Sequence, residues 1–193
     1  MIIRKSIPIR YWMIIISFLI VGLIISGKLP YIISMVQGKT GEEVVETCHS
    51  LYNFSISHPE KWNPQLFGQS GLHGDHDLKL MITNGRLGPI ILIYYHAYQN
   101  PALRQALNWS NAKIDIPRDA EIETKPITVD SDIKAISTKY REGNMITEIV
   151  TFTRDDGMFL IVFKGSAEDY KKDSKTFRNM ILSFGYCQNT QSE

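Results

Sequence analysis

The side chains best suited to chemistry lie together in one glycine-containing stretch, residues 71–76 (GLHGDH). His73, Asp75 and His76 bring two imidazoles and a carboxylate into four residues, and Zn²⁺ and Mn²⁺ accept such ligands. A metal site also needs a further ligand, for which His58 and His96 are the candidates, and hydrogen bonds that orient the ligands. The stretch therefore predicts either a divalent-metal site or a polar loop without a metal.

No catalytic motif of high specificity accompanies this stretch. Segment 68–72 (GQSGL) lacks the second glycine of the G-x-S-x-G nucleophile turn, because Leu72 stands in its place. The chain contains no C-x-x-C, which argues against a redox or zinc–cysteine site. We therefore expect that the protein is not an enzyme and that it needs no cofactor apart from the metal considered above, with an anchored hydrolase as a weak alternative.

The two cysteines, Cys48 and Cys187, bracket most of the polar part of the chain. Outside the cytoplasm they could form a disulfide, and closing so long a loop contributes about 4–5 kcal/mol on the chain-entropy model. Two free thiols are the alternative, because the sequence does not show that the Cα atoms come within about 7 Å of each other. The sequence is compatible with the disulfide and with two free thiols.

An apolar segment near the N-terminus predicts where these side chains are held. Residues 11–27 carry no charge, and the apolar character resumes after Lys28 through residue 36. This length suits a transmembrane helix, which needs roughly 20 residues. Arg4, Lys5 and Arg10 precede the segment without any acidic residue, so we expect a cytoplasmic N-terminus and an extracytoplasmic C-terminal part. A cleaved signal peptide is the less favoured alternative, because no alanine occurs before Ala97 to form an A-x-A site.

The remaining chain is long enough for one domain with a hydrophobic core. All 20 acidic residues but only 17 of the 21 basic residues lie after position 36, so this part has a formal net charge of −3. That balance argues against nucleic acid as a partner. The predicted organisation is a cytoplasmic tail (1–10), a single-pass anchor (11–36), a polar linker that could contain a short helix (37–50), one domain (51–187) and a tail (188–193).

Hydrophobic periodicity and turn residues predict the elements of this domain. Asn100 and Pro101 are expected to start one helix, and Ser166 with Asp169 forms the capping box of the closing helix. Pro126 predicts that its strand lies at a sheet edge. The alternating or β-branched segments predicted as strands are 52–57, 77–83, 88–98, 121–129, 132–141, 145–153 and 158–164. Their order predicts an α+β fold with an antiparallel sheet and flanking helices.

Three of these stretches give the chain a likeness to a known family. Residues 52–62 (YNFSISHPEKW), the paired strands 145–153 and 158–164, and residues 177–186 (FRNMILSFGY) resemble the PsbP-like family. The resemblance covers roughly residues 50–186 and implies an α-β-α sandwich with a non-enzymatic accessory role. Members of the family commonly lie outside a membrane, and the photosynthetic ones dock on photosystem II.

Together these features predict a membrane-anchored accessory or binding protein. The lipid bilayer and a membrane protein complex are its expected partners, and its PsbP-like domain is expected outside the membrane. The alternative function is an extracytoplasmic domain that binds a metal or small ligand through the 71–76 loop.

Overall fold

The computed structural model describes residues 43–69, 72, 75–86, 88–130 and 132–187. The predicted anchor, residues 11–36, and the C-terminal tail lie outside these residues, and no helix within them is long and apolar enough to cross a membrane. The elements of the described part are β1 (Val44–His49), β2 (Phe54–Pro59), β3 (Asn63–Leu66), β4 (Leu78–Thr83), β5 (Ile90–Ala97), α1 (Leu103–Lys113), β6 (Glu121–Val129), β7 (Ile133–Glu142), β8 (Met145–Arg154), β9 (Gly157–Ser166) and α2 (Ala167–Leu182).

The strands form two antiparallel sheets. β1 and β2 make a hairpin, and the other seven strands lie in the order β3-β4-β5-β9-β8-β7-β6. Pro64 and Pro126 therefore lie in the two edge strands, as the sequence predicted for Pro126. A proline has no N–H to offer an approaching strand, so each edge is protected against further pairing.

Side chains on the two faces of the large sheet form separate cores, because alternate residues of a strand point in opposite directions. Phe159, Ile161 and Phe163 of β9 pack with α2 and the β1–β2 hairpin. Leu160 and Val162 pack on the other face, where Trp109 of α1 contributes. The result is a sandwich in which the seven-stranded sheet lies between α1 and α2, the arrangement that the resemblance implied.

The two helices begin in different ways. The amide of Asp169 donates to Ser166 Oγ over 3.1 Å, and the amide of Ser166 donates to the Asp169 carboxylate over 3.1 Å, which is the predicted capping box. Asn100 does not cap α1, because it takes a left-handed φ of 47° and its amide donates to Asp155 O. At the start of α1, the side-chain oxygen of Gln105 instead accepts a hydrogen bond from the Ala102 amide over 2.7 Å.

Two strands occur where the sequence predicted none. Val44–His49, within the predicted 37–50 linker, is β1 rather than linker or short helix, because it pairs along its whole length with β2. Asn63–Leu66 is β3, which has no alternating apolar pattern and pairs only with β4. The strand predicted at 52–57 begins instead at Phe54, since residues 50–52 form a short 3₁₀ turn and Asn53 has a left-handed φ of 48°.

Candidate functional site

The predicted metal-ligating loop places one of its carboxylates against a lysine. The Asp75 amide donates to Leu72 O over 2.9 Å. Lys113, the last residue of α1, donates to Asp75 over 2.5 Å and to Asp77 over 3.0 Å. An ammonium group thus lies between the two carboxylates, in the position where a divalent cation would otherwise neutralise them.

These contacts shift the pKa values of Asp77 and Lys113 in the directions that keep both groups charged. Partial burial acts to raise the pKa of Asp77, but the bonds from Lys113 and His96 outweigh it, so that the pKa is lowered. Burial likewise acts to lower the pKa of Lys113, and the bonds to Asp75 and Asp77 outweigh it, so that the pKa is raised. Lys113 therefore neutralises part of the negative charge that Asp75 and Asp77 bring to the loop.

Of the described histidines proposed as ligands, only His96 contacts the two carboxylates. Its Nδ1 is 3.2 Å from Asp77 Oδ1, whereas His76 Nδ1 is 3.4 Å from Gln69 O. The ring nitrogens of His58 lie 2.8 Å from Thr47 Oγ1 and 2.9 Å from Pro59 O, so His58 is engaged elsewhere. Within the described ranges no group of three His, Cys, Asp or Glu side chains is arranged to hold a metal. His73 lies outside those ranges, so the metal site stays a prediction.

The two cysteines are joined. Cys48 at the end of β1 and Cys187 after α2 form a disulfide with a Cα–Cα distance of 5.4 Å across a sequence separation of 139 residues. The main chains of Ser55 and Gly185 bond in both directions beside it, over 2.9 and 3.0 Å. The bridge joins the C-terminal segment to β1, and the main-chain bonds join it to β2. Of the two possibilities for the cysteines, the structure has the disulfide.

A second polar group, which the sequence did not single out, lies where β8 ends. The Arg154 side chain is only 2% exposed. Its guanidinium donates to both carboxylate oxygens of Asp156 over 3.1 and 2.8 Å and to the Asn53 carbonyl over 3.1 Å. It also lies between two aromatic rings, 4.6 Å from the centre of Phe159 and 4.2 Å from that of Tyr186. One side chain therefore ties together the β8–β9 turn, the turn before β2 and the C-terminal segment.

Three exposed apolar residues belong to segments that meet at this group, namely the turn before β2, the segment after β5 and the C-terminal segment. Leu51, Tyr98 and Tyr186 have exposed fractions of 58%, 46% and 54%. Tyr98 is joined to the Arg154 group through its amide, which lies 3.4 Å from Asp156 O. Contiguous exposed apolar patches mark surfaces that bind another molecule, and these three residues are the candidates for such a surface. We call this set, Leu51, Tyr98 and Tyr186 together with Arg154, the aromatic end.

An open cleft of about 500 Å³ continues from the aromatic end toward the β6–β7 turn. Three aspartates and two basic residues are among its lining residues. The residues that line it are Asp130, Asp132, Ile133, Lys134, Thr153, Arg154, Asp155 and Tyr186. The cleft next to Tyr186 therefore has a small excess of acidic side chains.

Sequence reasoning missed the aromatic end because its parts are far apart in the chain. Leu51, Tyr98 and Tyr186 lie in three different connections and Arg154 ends β8, so together they form no local motif. The available signal is Asp155-Asp156-Gly157, which is typical of a hairpin turn but does not indicate the partners of that turn. The buried arginine beside that turn becomes visible only when Asn53 and Tyr186 are brought to it by the fold.

Comparison with known proteins shows the fold. No family model and no curated protein matches the chain. The solution structure of the cyanobacterial PsbP protein CyanoP from Synechocystis sp. PCC 6803 matches with a TM-score of 0.53 at 9% identity, over 78% of this chain and 96% of that one. A Bacteroides thetaiotaomicron protein matches with a TM-score of 0.52 at 12% identity, over 77% of this chain and half of its own.

Mycobacterium tuberculosis LpqN, described as involved in cell envelope biogenesis, is similar at a TM-score of 0.49 and 6% identity, over 77% of this chain and 93% of that one. At these identities the comparisons bear on architecture alone. The chain has an α+β fold with antiparallel sheets and two helices that resembles PsbP.

Proposed function

We propose that this chain is a membrane-anchored, non-enzymatic accessory protein that binds a membrane protein complex through its aromatic end. The observation that carries the proposal is the exposure of Leu51, Tyr98 and Tyr186 on segments that meet at a buried, fully engaged arginine. Tyrosines held rigidly on a surface are favourable contact residues, because they bury much area while losing little conformational freedom. The PsbP-like fold fits an accessory role.

Two further observations support the proposed location. The uncharged segment 11–27 follows three basic residues, which favours an anchor with its N-terminus in the cytoplasm. The Cys48–Cys187 disulfide is of the kind that persists in oxidising compartments and is rare in the cytoplasm. Both support an extracytoplasmic position of the domain, with the bilayer as the first partner of the chain.

The partner surface proposed here has a defined chemistry. Asp132 and Asp155 line the cleft beside Tyr186, together with Lys134 and the Arg154 that is paired with Asp156. A complementary partner would present apolar side chains to the tyrosines and basic side chains to the cleft. Such charge complementarity contributes mainly to the association rate and to specificity.

The test is co-purification of the full-length protein from native membranes in a mild detergent. We expect a discrete, stoichiometric set of partners that is lost when Tyr98 and Tyr186 are both changed to Ser. Changing Thr124 and Glu168, which are exposed outside the aromatic end, to Ser and Gln should leave the partners in place. A protein that purifies alone, with bound divalent metal that disappears in His73→Ala/His76→Ala, would contradict the proposal and favour the metal-binding alternative.

A further inference from the structure

A groove lies between the edge strand β6 and the last turns of α2, and none of its residues belongs to the aromatic end. Its volume is about 310 Å³, at the lower end of the range for small-molecule sites. Ile127 of β6 and Ile181 and Leu182 of α2 provide an apolar surface, and Leu182 is 55% exposed. Lys125 and Arg178 bring a positive charge from each of the two elements.

The two cations of the groove are only weakly engaged within the protein. Arg178 takes part in none of the ion pairs found among the described residues. Lys125 Nζ lies 3.7 Å from Glu123, whose other carboxylate oxygen is bonded by Lys139. The groove therefore combines apolar walls with two cationic groups that are available to an anion.

One carboxylate also lines the groove, but its oxygens are occupied. Glu148 is 3% exposed, and its two oxygens accept hydrogen bonds from Ser137 over 2.7 Å and from Tyr170 over 2.6 Å. Burial and the bond to Glu148 raise the pKa of Tyr170, so the phenol stays protonated and keeps donating. The Glu148 carboxylate is therefore engaged by Ser137 and Tyr170, and Lys125 and Arg178 remain available to a ligand.

From this arrangement we propose that the groove binds a single-chain anionic amphiphile, a fatty acid whose carboxylate lies between Lys125 and Arg178. Its alkyl chain would pack on Ile127, Ile181 and Leu182. A planar guanidinium and an ammonium can share one carboxylate, with the guanidinium bonding it bidentately. The charge of the groove, two cations against one engaged carboxylate, selects an anionic rather than a neutral or cationic head group.

The edge strand argues against an extended peptide as the occupant. A peptide bound between a strand and a helix usually adds to the sheet through main-chain hydrogen bonds. Pro126 lies in β6 between Lys125 and Ile127, and a proline in an edge strand turns its missing N–H side toward solvent. An added strand would therefore lack a hydrogen bond at the centre of the groove, whereas an alkyl chain needs none.

The test is photolabelling of the full-length protein in phosphatidylcholine nanodiscs with dodecanoic acid that carries a diazirine on its chain. Labelled peptides are located by mass spectrometry. We expect the label on residues 123–128 and 178–182, and we expect excess dodecanoate, but not excess dodecanol, to remove it. Lys125→Gln/Arg178→Gln should weaken labelling by about ten-fold or more, since each charge-assisted bond contributes about that factor.

The matched control is Lys171→Gln/Lys175→Gln, which removes two exposed positive charges from α2 outside the groove and should leave labelling unchanged. An Arg178→Lys protein should be labelled more strongly than an Arg178→Gln protein, because lysine keeps the positive charge. Labelling spread over the whole domain, equal competition by dodecanol, or no response to Lys125→Gln/Arg178→Gln would overturn the proposal. Stronger competition for the label by an acidic peptide than by dodecanoate would also overturn it. None of these outcomes depends on whether a protein partner binds the aromatic end.

Discussion

Replacing Arg154 by Met should loosen the aromatic end while leaving the fold intact. The change keeps the apolar stem and removes the guanidinium, so the Asn53 carbonyl loses its donor and the rings of Phe159 and Tyr186 lose the cation between them. The pair with Asp156 contributes less, because the Asp156 side chain is 41% exposed and can be hydrated.

The magnitude follows from these three losses. A charged hydrogen bond contributes about 1.5–3 kcal/mol, the cation–π contacts with the two rings together about 1 kcal/mol and a partly exposed ion pair about 0.5 kcal/mol. We therefore expect Arg154→Met to lower the free energy of unfolding by about 3–4.5 kcal/mol, less than the about 5–15 kcal/mol typical of a whole domain.

Thermal and denaturant unfolding of the full-length protein measure this loss, and amide hydrogen exchange at Asn53 and Tyr186 locates it. Arg141→Met is the matched control: Arg141 is an exposed arginine of the same sheet, and its side chain bonds only the Gly143 carbonyl among the described contacts. It should change stability by less than about 0.5 kcal/mol. An Arg154→Met protein as stable as the Arg141→Met protein would refute the role assigned to Arg154.

Three other changes test the remaining contacts. Cys48→Ser/Cys187→Ser should lower the free energy of unfolding by up to about 5 kcal/mol, since the bridge spans 139 residues; denaturant unfolding measures this. Burial raises the pKa of Asp173, and one of its oxygens has no partner among the described residues, so Asp173→Asn should stabilise by about 1 kcal/mol at pH 7. Lys113→Met should cost about 1 kcal/mol at neutral pH, because the partly buried Asp77 loses its cation while solvent still screens the pair.

The pH dependence of the last two changes has opposite signs. A raised folded-state pKa means that charged Asp173 destabilises the fold at neutral pH, so the advantage of Asp173→Asn should disappear below the unfolded pKa of 3.8. The pKa of Asp77 is lowered, so its stabilising pair is fully present above 3.8 and is lost as the pH falls through the lower folded value. The penalty of Lys113→Met should therefore shrink in acid. A penalty that grows in acid, or an advantage of Asp173→Asn that persists there, would contradict the assigned contacts.

The parts of the fold that follow from local pattern could be predicted from the sequence. Ser166 and Asp169 form the capping box, Pro126 lies in an edge strand, and the hairpin of β8 and β9 turns at Asp155–Asp156. Each of these features is set by residues within a few positions of one another. The likeness to PsbP in architecture follows from the order of such elements.

The parts that depend on distant residues could not be predicted in this way. β1 and β3 are strands only because β2 and β4 lie beside them, and Val44 and Leu66 remain exposed. Asp75 resembled a metal ligand in the sequence, whereas its partner Lys113 comes from the end of a helix 38 residues away. Spacing indicates which side chains are near each other in the chain but not which cation the fold brings to them.

Site-specific photocrosslinking in native membranes tests the central claim most directly. A crosslinker placed at Tyr98 or Tyr186 of the full-length protein should capture the same membrane protein from both positions. The same crosslinker at Thr124, which is exposed on β6, should not capture it. Capture from Thr124 alone, or no discrete product from either tyrosine position, would contradict the proposal that the aromatic end binds a membrane protein complex.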